Sequence, residues 1–291
     1  MEISVVGAGS LGTLLGGLLA EHHDVTLVGR DPHMRGVREE GLRISGAVER
    51  TVYPSARTAI PEGGDLALVT VKSFDTAQAA TALASAEFDA VLSLQNGMGN
   101  EAVLASHCHG VLAGTCTYGA RLREPGHVEC TGIGEIVCGE LDGGYSDRGG
   151  RVGDALSAGL SVTVSEEMPR RLWEKLAVNA GINAVTALAR LPNGALVSGP
   201  ATAVAREAAA ETARVASAAG IDIQNAPEQT LAVAETTATN ISSMHQDILA
   251  GRRTEIDAIN GYVVQQATDP VPVNETLVSL VRAWEQEQKL R

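Results

Sequence analysis

The stretch EISVVGAGSLGTLLGGLL, residues 2–19, decides which fold this sequence predicts. It opens with a short β-branched run, continues through the hexapeptide GAGSLG, and ends in leucines at helical spacing. The hexapeptide fits G-x-G-x-x-G, whose glycines permit a tight turn, a close backbone approach to a pyrophosphate, and close packing of helix on strand. Strand, glycine turn and helix in this order predict a dinucleotide site lined by Gly7, Ala8, Gly9, Ser10, Leu11 and Gly12.

The rest of the first half of the chain alternates between candidate strands and helical segments. The strand candidates cover residues 24–30, 65–72, 90–97 and 109–119, and this alternation is typical of a parallel sheet. Glycine-rich alternating stretches after residue 121 favour a few antiparallel edge strands, and beyond residue 169 only alanine-rich helical patterns remain. We therefore predict an α/β protein, in which a Rossmann-type, doubly wound parallel sheet forms a dinucleotide-binding domain of residues 1–166 and an all-helical domain of residues 167–291 follows.

The composition excludes several classes of partner. With 291 residues and a formal net charge of −13, the chain can fill two cores but lacks the basic surface that nucleic acid requires. Its longest apolar runs are interrupted before they could span a bilayer, and no signal peptide is evident, so we expect a cytoplasmic protein without membrane contact. The four cysteines lack the spacing of a zinc site, and no metal is expected. A homodimer is compatible with the sequence.

The end of the second predicted strand carries the residues that distinguish NADPH from NADH. An NAD site usually places an acidic residue there for the ribose hydroxyls, whereas this chain has Arg30 followed by Asp31. Arginine suits a 2′-phosphate, which favours NADPH. The alternative is that Arg30 is a solvated surface residue and Asp31 binds the ribose. Lys72 and Asn96 end the next two strands, where such sheets bind ligands, although Asn96 before Gly97 is also ordinary turn chemistry.

The helical half contains a largely apolar stretch, LWEKLAVNAGINAV at residues 172–185, in which three polar residues recur at intervals of four. Lys175, Asn179 and Asn183 are four residues apart, so they lie on one face of a helix. An exposed face of this chain would rather carry glutamate or arginine, which indicates a polar cleft. A lysine in such a cleft can protonate the alkoxide that develops when a carbonyl is reduced.

A second polar cluster follows at residues 240–257. Thr254 and Asp257 have the spacing of a capping box, which predicts a helix from residue 255 to about residue 266 with Glu255 in its first turn. The helix dipole would favour the ionised form of Glu255 there. From this spacing alone, Glu255 would be no more than a favourable first-turn acid.

The motifs together resemble the ketopantoate reductases, NADPH-dependent enzymes of pantothenate and coenzyme A synthesis. The resemblance covers nearly the whole chain and includes GAGSLG, VTVKSFDT, LQNGMGN, LWEKLAVNAGINAVTAL, LPNGAL and VPVNETL. Its most specific part is SSM-x-QD followed by TEID-x-INGY, within which His245 replaces a residue expected to be more apolar.

The resemblance implies a reaction and a site. NADPH would reduce 2-dehydropantoate to pantoate in the helical, substrate-binding domain, with Lys175 as the general acid and Glu255 binding the hydroxyl side of the substrate. Arg30 would meet the 2′-phosphate, and Lys72 and Asn96 would lie at the cofactor and the mouth of the site. The residues implied to orient the substrate are Asn179, Asn183, Asn193, Asn240 and Ser243.

Two alternatives remain open at this point. One is a reductase of another small 2-oxo acid on the same fold. The other is a regulatory protein that binds NADPH without turnover, because a fold alone does not determine function. NADH also remains an alternative cofactor because Asp31 is present.

Overall fold

The computed structural model describes all 291 residues, and the chain clusters into two compact units. The first consists of Met1–Gln95 and Asn100–Met168, and the second of Asn96–Gly99 and Pro169–Arg291. No helix is both long and apolar enough to cross a membrane.

All twelve strands lie in the first unit. They are β1 Glu2–Val6, β2 Asp24–Val28, β3 Leu42–Gly46, β4 Arg50–Val52, β5 Ser55–Arg57, β6 Gly63–Val69, β7 Glu87–Ser93, β8 Val111–Cys116, β9 Gly119–Glu124, β10 His127–Gly132, β11 Ile136–Glu140 and β12 Val162–Val164. The helices of this unit are α1 Ser10–Leu19, α2 His33–Glu40, α3 Thr76–Leu83, α4 Asn100–Ala105 and α5 Asp147–Leu156.

The main sheet has eight strands in the order β12-β11-β8-β7-β6-β1-β2-β5. All neighbours are parallel except β8 and β11, so the predicted parallel α/β sheet is confirmed. The central strands β1, β6 and β7 are buried over most of their length, which explains their continuous apolar pattern. The four candidate strands occur with ends shifted by a few residues.

A second sheet of four strands, in the order β4-β3-β10-β9, was not separated from the first by the sequence pattern. The antiparallel pair β9 and β10 forms a hairpin, and β10 also pairs in parallel with β3. The strands β3, β4 and β5 were not predicted, and β4 and β5 are only three residues long. Strands this short show too few alternations for a period of two to be recognised.

The second unit is helical. Its elements are α6 Met168–Ala189, of which Met168 belongs to the first unit, α7 Pro200–Ala218, α8 Ala226–Thr236, α9 Ser243–Leu249, α10 Asn260–Gln266 and α11 Pro272–Glu287. Alanine is the most frequent buried residue in both α6 and α7, which lets helices approach closely.

A buried glutamate organises the packing of α7 against α11. Glu211 on α7 is 0% exposed, and its carboxylate accepts the N–H groups of Val273 and Asn274 at 2.9 Å each. The side-chain amide of Asn274 donates to the same carboxylate at 2.7 Å. These N–H groups belong to the first turn of α11 and would otherwise lack partners, so Glu211 caps that helix from another element.

Candidate functional site

The glycine turn between β1 and α1 fits a pyrophosphate. Gly7 has a φ of +106°, and a Cβ on it would lie 2.5 Å from the backbone nitrogen of Val71. A Cβ on Gly12 would lie 2.5 Å from the carbonyl oxygen of Gly7 and would clash with the hydroxyl of Thr70. Only glycine fits at both positions. The N-terminus of α1 begins at Ser10, directly after the turn, and a helix N-terminus attracts phosphate through its N–H groups and its dipole.

Three arginines lie near the end of β2. Arg30 is exposed two residues beyond the strand. Arg57, the last residue of β5, lies opposite Val28 in the parallel pair of strands. Arg38 on α2 donates to the carboxylate of Asp31 at 3.2 Å. The structure therefore adds Arg38 and Arg57 to the predicted Arg30, and it shows that Asp31 already has a cationic partner. Sequence reasoning missed both because the elements that carry them were not predicted.

The structure places Lys72 and Asn96 in different units. Lys72 follows β6 in the first unit. Asn96 belongs to the second unit, where its side-chain amide lies 3.5 Å from the carboxylate of Glu255. In the same turn, the N–H of Met98 donates to the carbonyl of Ala258 at 3.0 Å. Two residues separated by 159 positions are thus brought together, although the sequence contained no sign of this contact.

The polar face predicted on residues 172–185 lies on α6. Lys175 and Asn179 are half-buried, and Asn183 is 6% exposed. Their neighbours Leu176 and Ala180 lie in the apolar core of the second unit. Lys175 therefore sits at the edge of that core, where the effective dielectric constant is lower than in water and an ammonium stabilises a nearby negative charge more strongly.

The predicted capping box at Thr254 is wrong. Residues 255–259 form irregular turns, and α10 begins after them. Thr254 instead donates its hydroxyl and its N–H to one carboxylate oxygen of Glu285, at 2.6 and 2.7 Å. Glu285 is fully buried on α11, 31 residues further along the chain. A local sequence pattern therefore could not have revealed the true partner of Thr254.

Asp257, the other half of the predicted capping box, anchors the same segment to α11. Its carboxylate accepts hydrogen bonds from Arg282 at 2.9 Å and from Arg291 at 2.7 Å. Burial is the largest single influence and would raise the pKa of Asp257, but the hydrogen bonds and positive charges of the two arginines together outweigh burial and hold the pKa below its usual value. Between these anchors, Glu255 is only 5% exposed and is held on a fixed backbone.

The remaining predicted substrate residues lie around the C-terminal end of α6. The N–H of Asn193 donates to the carbonyl of Asn240 at 3.0 Å, and its side-chain amide donates to Thr237 at 2.9 Å. The side-chain oxygen of Asn193 is buried without a hydrogen-bond partner. Asn240 is exposed, and Ser243 is the half-buried first residue of α9. Asn193 and Asn240 are thus brought together, whereas no hydrogen bond joins them to Ser243.

Two contacts tie α9 to α6. The hydroxyl of Thr186, three residues beyond Asn183, lies 2.8 Å from that of Ser242. The ring of His245 is 4% exposed, and its Nδ1 lies 3.2 Å from the carbonyl of Leu191, to which it donates. His245, which is position x of SSM-x-QD, therefore has a backbone hydrogen-bond partner within the second unit.

Comparisons with known proteins cover almost the whole chain. The family model described as "Ketopantoate reductase PanE/ApbA" matches residues 3–143, and its C-terminal counterpart, "Ketopantoate reductase PanE/ApbA C terminal", matches residues 167–285. The 2-dehydropantoate 2-reductase of Halobacterium salinarum is 44% identical over 97% of this chain and 98% of that protein. The enzyme of the same name from Archaeoglobus fulgidus is 40% identical over 98% of both chains.

Solved structures agree with the sequence relatives. A PanE/ApbA family ketopantoate reductase from Ralstonia eutropha superposes with a TM-score of 0.90 at 35% identity, covering 99% of this chain and 100% of that one. D-mandelate dehydrogenase in complex with NADH superposes with a TM-score of 0.87 at 25% identity, again covering 99% and 100%. Family matches over residues 3–143 and 167–285, with relatives this similar over their full length, show that the chain belongs to the ketopantoate reductase family.

Proposed function

We propose that this protein reduces 2-dehydropantoate to pantoate with NADPH, using Lys175 as the general acid. The observation that carries the proposal is the polar face of α6, which places a half-buried ammonium in line with two amides beside the buried apolar residues of the same helix. The choice of substrate rests on the relatives named 2-dehydropantoate 2-reductase, which match this chain over nearly its full length. The first unit would bind the dinucleotide and the second the oxo acid.

In this mechanism the residues position the substrate and move one proton. NADPH, when bound, supplies the hydride that the ketone carbon accepts. Lys175 donates its proton to the ketone oxygen as negative charge develops there, so that the product is a neutral hydroxyl group. Glu255 accepts a hydrogen bond from the hydroxyl group of the substrate. The amides of Asn179 and Asn183 orient the polar groups of the substrate so that its ketone oxygen lies next to Lys175. Asn193, Asn240 and Ser243 would complete the binding of the carboxylate and hydroxyl groups.

The proposed preference for NADPH rests on the arginines at the end of β2. A 2′-phosphate would meet Arg30, with Arg38 and Arg57 close by on α2 and β5. The competing assignment, in which Asp31 binds the ribose of NADH, is disfavoured because Arg38 pairs with one oxygen of that carboxylate and partly neutralises its charge. An acidic residue that stays available would be needed to favour NADH.

Replacing Arg30 with alanine should lower kcat/KM for NADPH by about 10- to 100-fold, because one charge-assisted hydrogen bond contributes about 1.5–3 kcal/mol. The same change should affect kcat/KM for NADH by less than about twofold. Initial rates with each cofactor would measure both effects. Arg151→Ala, which removes an exposed arginine on α5, is the control and should leave both values unchanged. Equal losses with NADPH and NADH would contradict the role of Arg30.

Replacing Glu255 with alanine should chiefly weaken the binding of ketopantoate. We expect its dissociation constant, measured by calorimetry, to rise by about 10- to 100-fold, while that of NADPH changes little. Glu235→Ala removes an exposed glutamate of α8 and serves as the control. Unchanged ketopantoate binding by Glu255→Ala would count against the assignment.

The function itself is tested by absorbance at 340 nm with purified protein, NADPH or NADH, and one of three oxo acids: ketopantoate, pyruvate or 2-oxoisovalerate. Rapid oxidation of NADPH with ketopantoate alone supports the proposal. Oxidation only with another oxo acid would keep the mechanism but change the substrate, an outcome that the likeness to D-mandelate dehydrogenase makes worth testing. Binding of NADPH without oxidation by any oxo acid would favour a regulatory protein.

A further inference from the structure

A buried histidine lies next to the arginines of the first unit. His33 is the first residue of α2, three positions after Arg30, and only 7% of it is exposed. Its neighbour Met34 belongs to the apolar core of the unit. A polar ring in such a core is stable only if its nitrogens find partners.

Both ring nitrogens of His33 have partners, and the partners define the tautomer. The N–H of Gly126 lies 3.0 Å from Nδ1, and a backbone N–H can only donate. Nδ1 is therefore the acceptor and carries no proton. Nε2 then carries the proton of the neutral ring and donates to the hydroxyl of Thr13 at 2.9 Å. Burial lowers the pKa of His33, which agrees with a neutral ring.

The two partners belong to elements that surround the proposed cofactor site. Thr13 is fully buried in the first turn of α1, and its N–H donates to the carbonyl of Gly9 in the glycine turn at 3.0 Å. Gly126 forms the turn between β9 and β10, and its carbonyl accepts the N–H of Arg43 at 2.9 Å. His33 thus joins the helix behind the glycine turn to the hairpin of the second sheet.

The same hairpin also contacts the first residue of α1. The N–H of Leu122 on the edge strand β9 donates to the hydroxyl of Ser10 at 3.0 Å. One hairpin therefore supports both parts of the proposed site, the glycine turn through Ser10 and the start of α2 through His33. Neither contact is part of the Rossmann-type sheet itself.

We propose that His33 is a positioning residue for cofactor binding, which holds the segment carrying Arg30 and the N-terminus of α1 at a fixed separation. It acts through these elements and does not itself touch the cofactor. A dinucleotide with a 2′-phosphate must reach the glycine turn and Arg30 at once, so this separation determines how well both are engaged. The inference rests on the proposed function in one respect, namely that NADPH is the cofactor.

Three variants separate the two hydrogen bonds of the ring. His33→Asn retains an acceptor near the position of Nδ1, His33→Gln retains a donor near that of Nε2, and His33→Leu retains neither. The dissociation constant of NADPH would be measured by nucleotide fluorescence without substrate, followed by kcat and KM for both substrates. Melting temperatures of all three variants would show that they fold.

We expect His33→Leu to raise the dissociation constant of NADPH by about tenfold, because Arg30 and the N-terminus of α1 lose their fixed separation, with kcat at saturating NADPH and KM for the oxo acid within about twofold. His33→Asn and His33→Gln should each recover part of that loss. A folded His33→Leu that binds NADPH as the wild type does would overturn the proposal. So would losses of NADPH affinity that follow the losses in melting temperature and are not recovered in His33→Asn or His33→Gln. Wild-type protein that fails to bind NADPH would instead refute the proposed function.

Discussion

Lys175→Ala should lower kcat by about 10²- to 10⁴-fold, the range that a positioned general acid contributes. Without the ammonium, negative charge on the substrate oxygen develops without a proton donor or a cation to stabilise it. The dissociation constant of NADPH should stay within about twofold, because the glycine turn and Arg30 that are proposed to bind it belong to the first unit. Single-turnover absorbance at 340 nm would measure the chemical step directly.

Two further variants test what the lysine supplies. Lys175→Arg keeps the positive charge but cannot readily release a proton, so most of the loss should persist if proton transfer matters. Lys289 is one of only three lysines in the chain and is exposed, so Lys289→Arg provides the matched control and should retain full turnover. Near-normal turnover by Lys175→Ala would refute the assigned role.

Glu211→Ala should lower the free energy of unfolding of the second unit by about 3–5 kcal/mol. The change leaves three donors at the start of α11 without an acceptor, two of them buried, and opens a cavity beside them. Urea denaturation followed by tryptophan fluorescence would report on this unit, because both tryptophans, Trp173 and Trp284, belong to it.

The neighbouring Glu207 provides a control one turn earlier on the same helix. Glu207 is half-exposed and pairs only with Arg214 at the surface, so Glu207→Ala should cost less than about 1 kcal/mol. Glu211→Gln, which keeps an acceptor oxygen, should recover part of the loss. An effect of Glu211→Ala no larger than that of Glu207→Ala would show that the capping interaction contributes little.

The sequence predicted those features whose cause is local. The glycine turn follows from residues within six positions of one another, and the face of α6 follows from a repeat of four. The site roles of Lys175 and Glu255 came from the resemblance and remain predictions, because spacing alone made Glu255 an ordinary first-turn acid.

The features that sequence reasoning missed depend on distant partners. Thr254 bonds to Glu285, 31 positions away, and this contact replaces the capping box that the local pattern suggested. His33 bonds to Gly126 across 93 positions, so nothing near His33 in the sequence distinguishes it from a surface histidine. Contacts of this kind follow from the topology of the two sheets rather than from any periodicity.

The short turn Asn96–Gly99 has a consequence for protein engineering. Because it belongs to the second unit while the residues on both sides belong to the first, the chain passes between the units three times, at residues 95–96, 99–100 and 168–169. A C-terminal fragment of residues 169–291 would lack Met98, whose N–H pairs with Ala258, and Asn96 beside Glu255. The complete helical unit therefore cannot be transferred to another nucleotide-binding domain through a single fusion point. Chimaeras would have to exchange the turn as well.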